Sequence, residues 1–398
     1  MTRIRRTALA VVVALALPLP LIGASAAFAA PAPAAPVTSA TVSAASEVSD
    51  PSAAQARLPR PTGPHAVGRG TLHLVDEQRQ DPWVPAAGAR ELMVSMYYPA
   101  RPGTGGPPAP YLTTEEARLL LQEKVPGSGF PPERLAAVRT WAHPDARPAP
   151  GRFPLVVLSP GFTLPRATLT GLAEDLASRG YVVALVDHTY EAAGISFPDG
   201  RTLTCAICEQ PPAGGETAIT GSRAKDVSFV LDRLTGRHPG WQYARMIDTT
   251  RIGMAGHSAG GAATLTTMAA DNRVRAGVNM DGTFWDEVPA QGLNGRPFLM
   301  LGEETSGQDQ SWQHTWTSLD GWRRWLSVNG TNHGSFTDLP ILAALVGVGD
   351  PDEISPERAE QLTRTCVAAF FDQSLKGIAQ PLLDGPSPAN PEVVVRLP

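Results

Sequence analysis

Arg251-Ile252-Gly253-Met254-Ala255 is a short apolar run, and it passes through Gly256-His257-Ser258-Ala259-Gly260 into a segment of small residues, 261–270, that suits a helix. The run predicts a buried strand over 251–255, and the Gly-x-Ser-x-Gly step predicts a sharp strand-to-helix turn with Ser258 at its tip. A serine on so tight a corner has strained backbone angles and crowded neighbours. Gly256 and Gly260 then stand where a β-carbon would collide with the adjoining strand or helix. The turn lifts the Ser258 hydroxyl above the sheet edge. The helix that follows points its amino end at the same spot, which favours negative charge there and makes the Ala259 N–H a candidate oxyanion donor.

On both sides of this turn, apolar runs alternate with helical patterns, as in an α/β fold with a mostly parallel central sheet flanked by helices. Strands are expected at 153–158, 181–186, 276–280, 297–301 and 325–328, and helices at 169–179, 222–234 and 355–373. Two earlier segments, 71–75 and 91–98, read as an antiparallel pair at the sheet edge. Residues 111–150 are rich in proline, carry a helical pattern at 114–122, and form a candidate lid.

The chain has 398 residues, 42% hydrophobic and 18% charged, enough to bury a large core without metal or disulfides. Its first thirty residues hold Arg3, Arg5 and Arg6, an apolar run from Ala8 to Leu17 and the step Ala27-Phe28-Ala29. This is the pattern of a secretory signal at 1–29, and it implies a secreted protein. Pro18 and Pro20 interrupt the run, which is shorter than the ~20 residues a spanning helix needs. Residues 30–59 are mostly Ala, Pro, Ser, Thr and Val and read as a flexible linker, leaving 60–398 as one catalytic domain. Net charge is −5; removing the signal takes away three positive charges and no negative ones, leaving −8. That balance argues against a nucleic-acid partner. The three cysteines and eight histidines show no zinc spacing, so neither metal nor cofactor is expected. Outside the cytosol Cys205 and Cys208 can bridge each other, or one of them Cys366. A redox role for the pair is disfavoured because it sits between turn residues rather than at the start of a helix.

A serine hydroxyl becomes a nucleophile only beside an imidazole that takes its proton. His333, in Asn332-His333-Gly334-Ser335-Phe336 after the last strand of the alternation, stands where the order Ser, acid, His puts the base. His257 and His188 read as structural hydrogen-bonding residues. The orienting acid belongs at a strand end between Ser258 and His333, and spacing alone leaves Asp281 and the pair Glu303-Glu304 open, with Asp281 favoured. In Ser159-Pro160-Gly161-Phe162-Thr163, Gly161 lets the chain turn so that the Phe162 N–H faces the serine as second oxyanion donor. Of the tryptophans after Asp281, Trp285 is nearest and reads as a pocket residue; Trp312, Trp316, Trp322 and Trp325 read mainly as core. The apolar run 341–348 reads as a buried helix.

Several blocks together resemble one family. They are Leu74-Val75-Asp76 with Arg90-Glu91-Leu92-Met93-Val94; Pro154-Leu155-Val156-Val157-Leu158-Ser159-Pro160-Gly161; Asp175-Leu176-Ala177-Ser178-Arg179-Gly180-Tyr181 with Asp187-His188; Gly256-His257-Ser258-Ala259-Gly260-Gly261; and Met280-Asp281-Gly282. Across residues 70–375 the chain resembles the plasma-type platelet-activating factor acetylhydrolases, serine esterases of the α/β-hydrolase superfamily. The resemblance implies an α/β-hydrolase fold, Asp281 as the acid, Phe162 and Ala259 as oxyanion donors, and short-acyl lipid or phospholipid esters as substrates. The family's mammalian members have His-Gly-Leu where this chain has Pro160-Gly161-Phe162, so the resemblance does not carry over pocket shape. The rival expectations are a broad carboxylesterase or polyester hydrolase, and a non-catalytic binding protein on the same scaffold.

Overall fold

Strands whose two faces are both apolar have to be covered on both sides, and this requirement sets the architecture. In the computed structural model, which describes residues 56–397, the strands are β1 (Ala66–Gln80), β2 (Ala89–Ala100), β3 (His143–Pro144), β4 (Phe153–Ser159), β5 (Val182–His188), β6 (Ile195–Ser196), β7 (Thr202–Leu203), β8 (Ile247–His257), β9 (Val274–Met280), β10 (Phe298–Glu303), β11 (Arg323–Val328) and β12 (Val393–Leu397). The helices are α1 (Thr114–Lys124), α2 (Pro132–Ala136), α3 (Thr170–Ser178), α4 (Ala206–Glu209), α5 (Gly215–Thr235), α6 (Ala259–Ala270), α7 (Gln310–Ser318), α8 (Leu339–Val346) and α9 (Pro356–Lys376). The expected signal at 1–29 and the linker as far as residue 55 lie outside the described residues.

Ten strands form one sheet in the order β12-β11-β10-β9-β8-β4-β5-β2-β1-β3. The six from β5 to β11 run parallel, while β2, β1 and β12 are antiparallel additions. This is the α/β-hydrolase arrangement. Every residue of β5 is buried, as a strand between two helical layers must be. One layer is α5 and α6, which bury Val227, Val230, Leu231 and Met268 against the sheet. The other is α3 and α9, which bury Leu172, Leu176, Leu362, Phe370 and Phe371.

Residues 111–150 carry α1 and α2, and their apolar side forms a separate cluster with Leu164, Ala167, Ile341 and Leu342. The run at 341–348 thus contributes a packed helix, α8, although Val348 beyond it is exposed. Residues 56–59, read from composition as the end of the linker, are packed instead. Leu58 is buried, its N–H donates to the Arg139 carbonyl (3.0 Å), and the Arg57 guanidinium lies 3.3 Å from the centre of the Trp141 ring. One large apolar side chain among small ones is enough to dock this part of the chain.

Cys205 and Cys208 form a disulfide. The pair does start a helix, contrary to the sequence expectation: Cys205 caps the four-residue α4, which the flanking turn residues disguise. Cys366 is buried in α9, and desolvation pushes its thiol up to about 12. Among the described residues no helix is long and apolar enough to cross a membrane.

Candidate active site

The corner at Ser258 is set by close backbone approaches. Ser258 has φ 54° and ψ −123°, a conformation that costs a non-glycine residue about 1–3 kcal/mol. It is held because the Ser258 N–H donates to the Met280 carbonyl (2.9 Å) while α6 starts immediately after it. A β-carbon on Gly256 would lie 2.1 Å from the Gly260 carbonyl, and one on Gly260 would lie 2.0 Å from the Ser159 carbonyl oxygen. Both glycines of the motif are therefore required by space, as the sequence predicts. Gly261 is required too, since its β-carbon would meet Asn279 Oδ1 at 2.0 Å. Asn279 fixes the next corner: its Oδ1 accepts from the Gly282 N–H (2.8 Å) and its Nδ2 donates to the Gly282 carbonyl (2.7 Å).

Asp281 stands on that corner with φ 56°, and its N–H donates to the Leu301 carbonyl (2.8 Å). The carboxylate is almost fully buried. It accepts from His333 Nδ1 through Oδ2 (2.6 Å) and from the Glu303 N–H through Oδ1 (3.0 Å). Of the three acids that spacing left open, Asp281 meets the imidazole, whereas Glu303 offers its main chain and turns its carboxylate to Thr305 Oγ1 (2.5 Å), and Glu304 is exposed.

His333 lies on a short turn, 333–336, that Asn332 caps by accepting from the Gly334 N–H (2.8 Å). Phe336 plugs the turn into the core, and the Asp338 N–H donates to the Thr168 carbonyl (2.8 Å). His257 Nε2 donates to the carbonyl of His333 (2.7 Å), tying the strand before the nucleophile to the loop that carries the base. Burial, with the His333 ring alongside, pushes the His257 imidazole down to about 3, so it stays neutral and acts as a fixed donor.

Ser258, Asp281 and His333 line one cavity of about 350 Å³, shared with Trp285, Trp312, Thr283, Glu303, Thr305, Ser306 and Asp309. Trp285 is where the sequence expected a pocket residue. Trp312 does double work, as core and as cavity wall, with its Nε1 donating to the Gly282 carbonyl (2.9 Å). Of the other wall the sequence singled out only Glu303, as a rival acid; Thr283, Thr305, Ser306 and Asp309 read as ordinary polar residues until β9, β10 and α7 bring them together.

The main-chain N–H groups of Phe162 and Ala259 have no hydrogen-bond partner among the described residues. They belong to adjoining pieces of backbone, since the first turn of α6 packs against Ser159 and Pro160. Beneath this loop His188 Nδ1 donates to Asp226 Oδ2 (2.8 Å), while its Nε2 accepts from the Ser159 hydroxyl (2.9 Å). His188 is buried, and desolvation lowers its pKa. Both it and His257 are structural, as read. Among the described residues no group of three or more His, Cys, Asp or Glu is placed to hold a metal ion.

The family model for platelet-activating factor acetylhydrolase, isoform II, matches residues 51–200 and 230–379. A protein of Arthroderma benhamiae named probable 1-alkyl-2-acetylglycerophosphocholine esterase is 28% identical over 379 residues, covering 85% of this chain and 93% of its own. A bis(hydroxyethyl) terephthalate hydrolase of Streptomyces coelicolor is 31% identical over 159 residues, 39% of this chain and 40% of its own. Among solved structures, a ferulic acid esterase from Streptomyces cinnamoneus superimposes with a TM-score of 0.77 at 46% identity, covering 86% of this chain and all of that one. These similarities set aside a non-catalytic binding protein on the same scaffold. The chain belongs to the platelet-activating factor acetylhydrolase, isoform II, family and is a carboxylic ester hydrolase.

Proposed function

We propose that the protein hydrolyses compact carboxylic esters by two-step acyl transfer. Ser258 attacks the ester carbonyl while His333 takes its proton; Asp281 holds the imidazole in the tautomer whose Nε2 is free to accept. The Phe162 and Ala259 N–H groups stabilise the oxyanion, and His333 returns the proton to the departing alcohol. Water, activated by the same imidazole, then releases the acid and regenerates Ser258. The observation that carries this reading is the 2.6 Å contact of His333 Nδ1 with Asp281 in a cavity shared with a serine held at φ 54°.

The cavity, about 350 Å³, lies at the small end of ligand sites, which favours a short acyl group or a single ring over a long chain. Short-acyl lipid or phospholipid esters fit both this size and the family. Esters of aromatic acids, and polyesters built from them, are the second reading, favoured by the 46% identity to the ferulic acid esterase and by the terephthalate-ester hydrolase among the relatives. The basic and apolar start of the chain supports export, so the protein would meet these esters outside the cell.

One set of assays tests both parts. Ser258→Ala should lower turnover of p-nitrophenyl acetate by at least about 10⁴-fold; wild-type turnover in that variant refutes the mechanism. A panel of a 2-acetyl glycerophosphocholine, p-nitrophenyl butyrate, methyl ferulate and bis(hydroxyethyl) terephthalate then ranks the substrate classes by kcat/KM. A preference for the choline lipid supports the first reading, and a preference for the two aromatic-acid esters supports the second.

A further inference from the structure

Gly161 leaves the oxyanion loop with a problem. A β-carbon there would lie 2.8 Å from His257 Nδ1, so only glycine fits, yet glycine also frees the peptide that carries the Phe162 N–H to rotate away from the serine. Something outside the loop has to remove that freedom.

Two buried, oppositely charged residues hold the loop on either side of Phe162, Arg223 through its side chain and Glu191 through its main-chain carbonyl. On one side Arg223, from α5, donates through Nη1 to the Pro160 carbonyl (2.6 Å) and more weakly to Ser159 Oγ (3.4 Å). On the other, the Glu191 carbonyl accepts from the Thr163 N–H (2.9 Å), and the Ala193 N–H donates back to the Thr163 carbonyl (2.8 Å), which keeps Thr163 at φ 65°. The two holds are joined, since Arg223 Nε donates to Glu191 Oε2 at 2.7 Å with both side chains 1% exposed. Glu191 is itself fixed by Trp83 Nε1 at 2.9 Å. Buried this way, the pair has no water competing for its hydrogen bonds.

We propose that Arg223 and Glu191 are a positioning pair for the oxyanion hole, clamping the residues that flank Phe162 so that its N–H stays aimed at the oxygen of the tetrahedral intermediate. This goes beyond the triad, and it rests on the reading of Phe162 as an oxyanion donor. The pair touches neither substrate nor Ser258 and acts through the Phe162 peptide alone.

The test compares Arg223→Met, Arg223→Lys and Glu191→Gln with the wild type, each confirmed folded by circular dichroism and thermal midpoint. With p-nitrophenyl acetate, Arg223→Met should lose roughly 10- to 100-fold in kcat, less than full removal of an oxyanion donor, while KM stays within about two-fold. Affinity for butaneboronic acid, which forms a tetrahedral adduct on the serine, should fall by the same factor. Arg223→Lys, which keeps one charged donor, should recover part of the loss, and Glu191→Gln should fall in the same direction. A folded Arg223→Met, or a folded Arg223→Lys and Glu191→Gln if Met is not tolerated, with wild-type kcat overturns the proposal. So does a loss of kcat with unchanged boronate affinity. Failure of the underlying acyl-enzyme reading looks different: the wild type itself would not bind the boronate and Ser258→Ala would keep its turnover.

Discussion

Asp281 accepts two hydrogen bonds at once, from His333 Nδ1 and from the Glu303 N–H, and a carboxylate is the side chain of this length that can accept both. In Asp281→Asn the single amide oxygen can satisfy only one donor. With the oxygen kept by the Glu303 N–H, the amide NH₂ faces His333 and selects the tautomer with a proton on Nε2, which can no longer accept from Ser258. On the proposed mechanism kcat then drops by roughly 10⁴-fold with KM nearly unchanged, measured on p-nitrophenyl acetate at pH 7. A loss smaller than ten-fold would exclude Asp281 as the orienting acid. At this scale the sequence told most of the story for the nucleophile, because Gly256, Ser258 and Gly260 between a strand and a helix mark the corner even before the neighbouring β4, whose Ser159 carbonyl crowds Gly260, is placed. The acid was less legible. Met280 and Leu301 are register partners on β9 and β10, so Asp281 and Glu303 arrive near one point, and only the left-handed turn at Asp281 decides which carboxylate faces the imidazole.

Among the elements, the strands buried on both faces were the clearest, since β4 and β8 differ from expectation only by extension at their ends and β5 starts one residue later and ends two later. The helix α5 begins at Gly215, seven residues before its apolar spacing starts, because its first two turns are largely polar. The edge strand β12 has five residues and is separated from α9 by a long turn-rich stretch, so no alternation announces it. The clamp formed by Arg223 and Glu191 was likewise invisible, because its parts lie on a helix and two loops whose proximity only the folded sheet creates. The small disulfide at α4 was legible as a choice between pairings, and it closes a loop of only four residues. Such a loop constrains the unfolded chain by no more than about 2 kcal/mol. Replacing both Cys205 and Cys208 by serine should therefore lower the thermal midpoint by only a few degrees and leave ester turnover as it is. A calorimetric scan and a turnover assay check both; a loss of activity would show that α4 supports the site.

The molecule as a whole carries a pH dependence of its own, seated where α3, α9, the 111–150 segment and the chain after His333 converge. Burial pushes the Glu174 carboxyl up to about 7, and it does the same to Glu360, which pairs with Arg364 and feels Glu174 and Asp175 nearby. Asp338, hydrogen-bonded by the Tyr111 hydroxyl and the Gly171 N–H, is raised well above the usual range, with Glu360 adding to the burial. Carboxyls whose folded pKa exceeds the ordinary 4.5 hold a proton in the folded state that the unfolded chain has already lost. Their contribution is complete below pH 4.5 and disappears as pH rises through about 7. The thermal midpoint should accordingly decline between about pH 5 and 8, and Glu360→Gln, which carries no titrating proton, should flatten the decline. Equal slopes for the two proteins across that range would rule out the cluster as the source.

The great sheet ends in very little. Its outermost strands are β3, with two residues, and β12, with five, the last of them turned toward solvent. An unpaired strand margin is the template on which one chain recruits another into fibres or swapped pairs. Here β12 is too short to zip against a visitor, but at the other margin β3 pairs with only Gly68 and Arg69 of the fifteen-residue β1, so the stretch of β1 beyond them is backbone on which a second copy could lay a strand when the protein is concentrated.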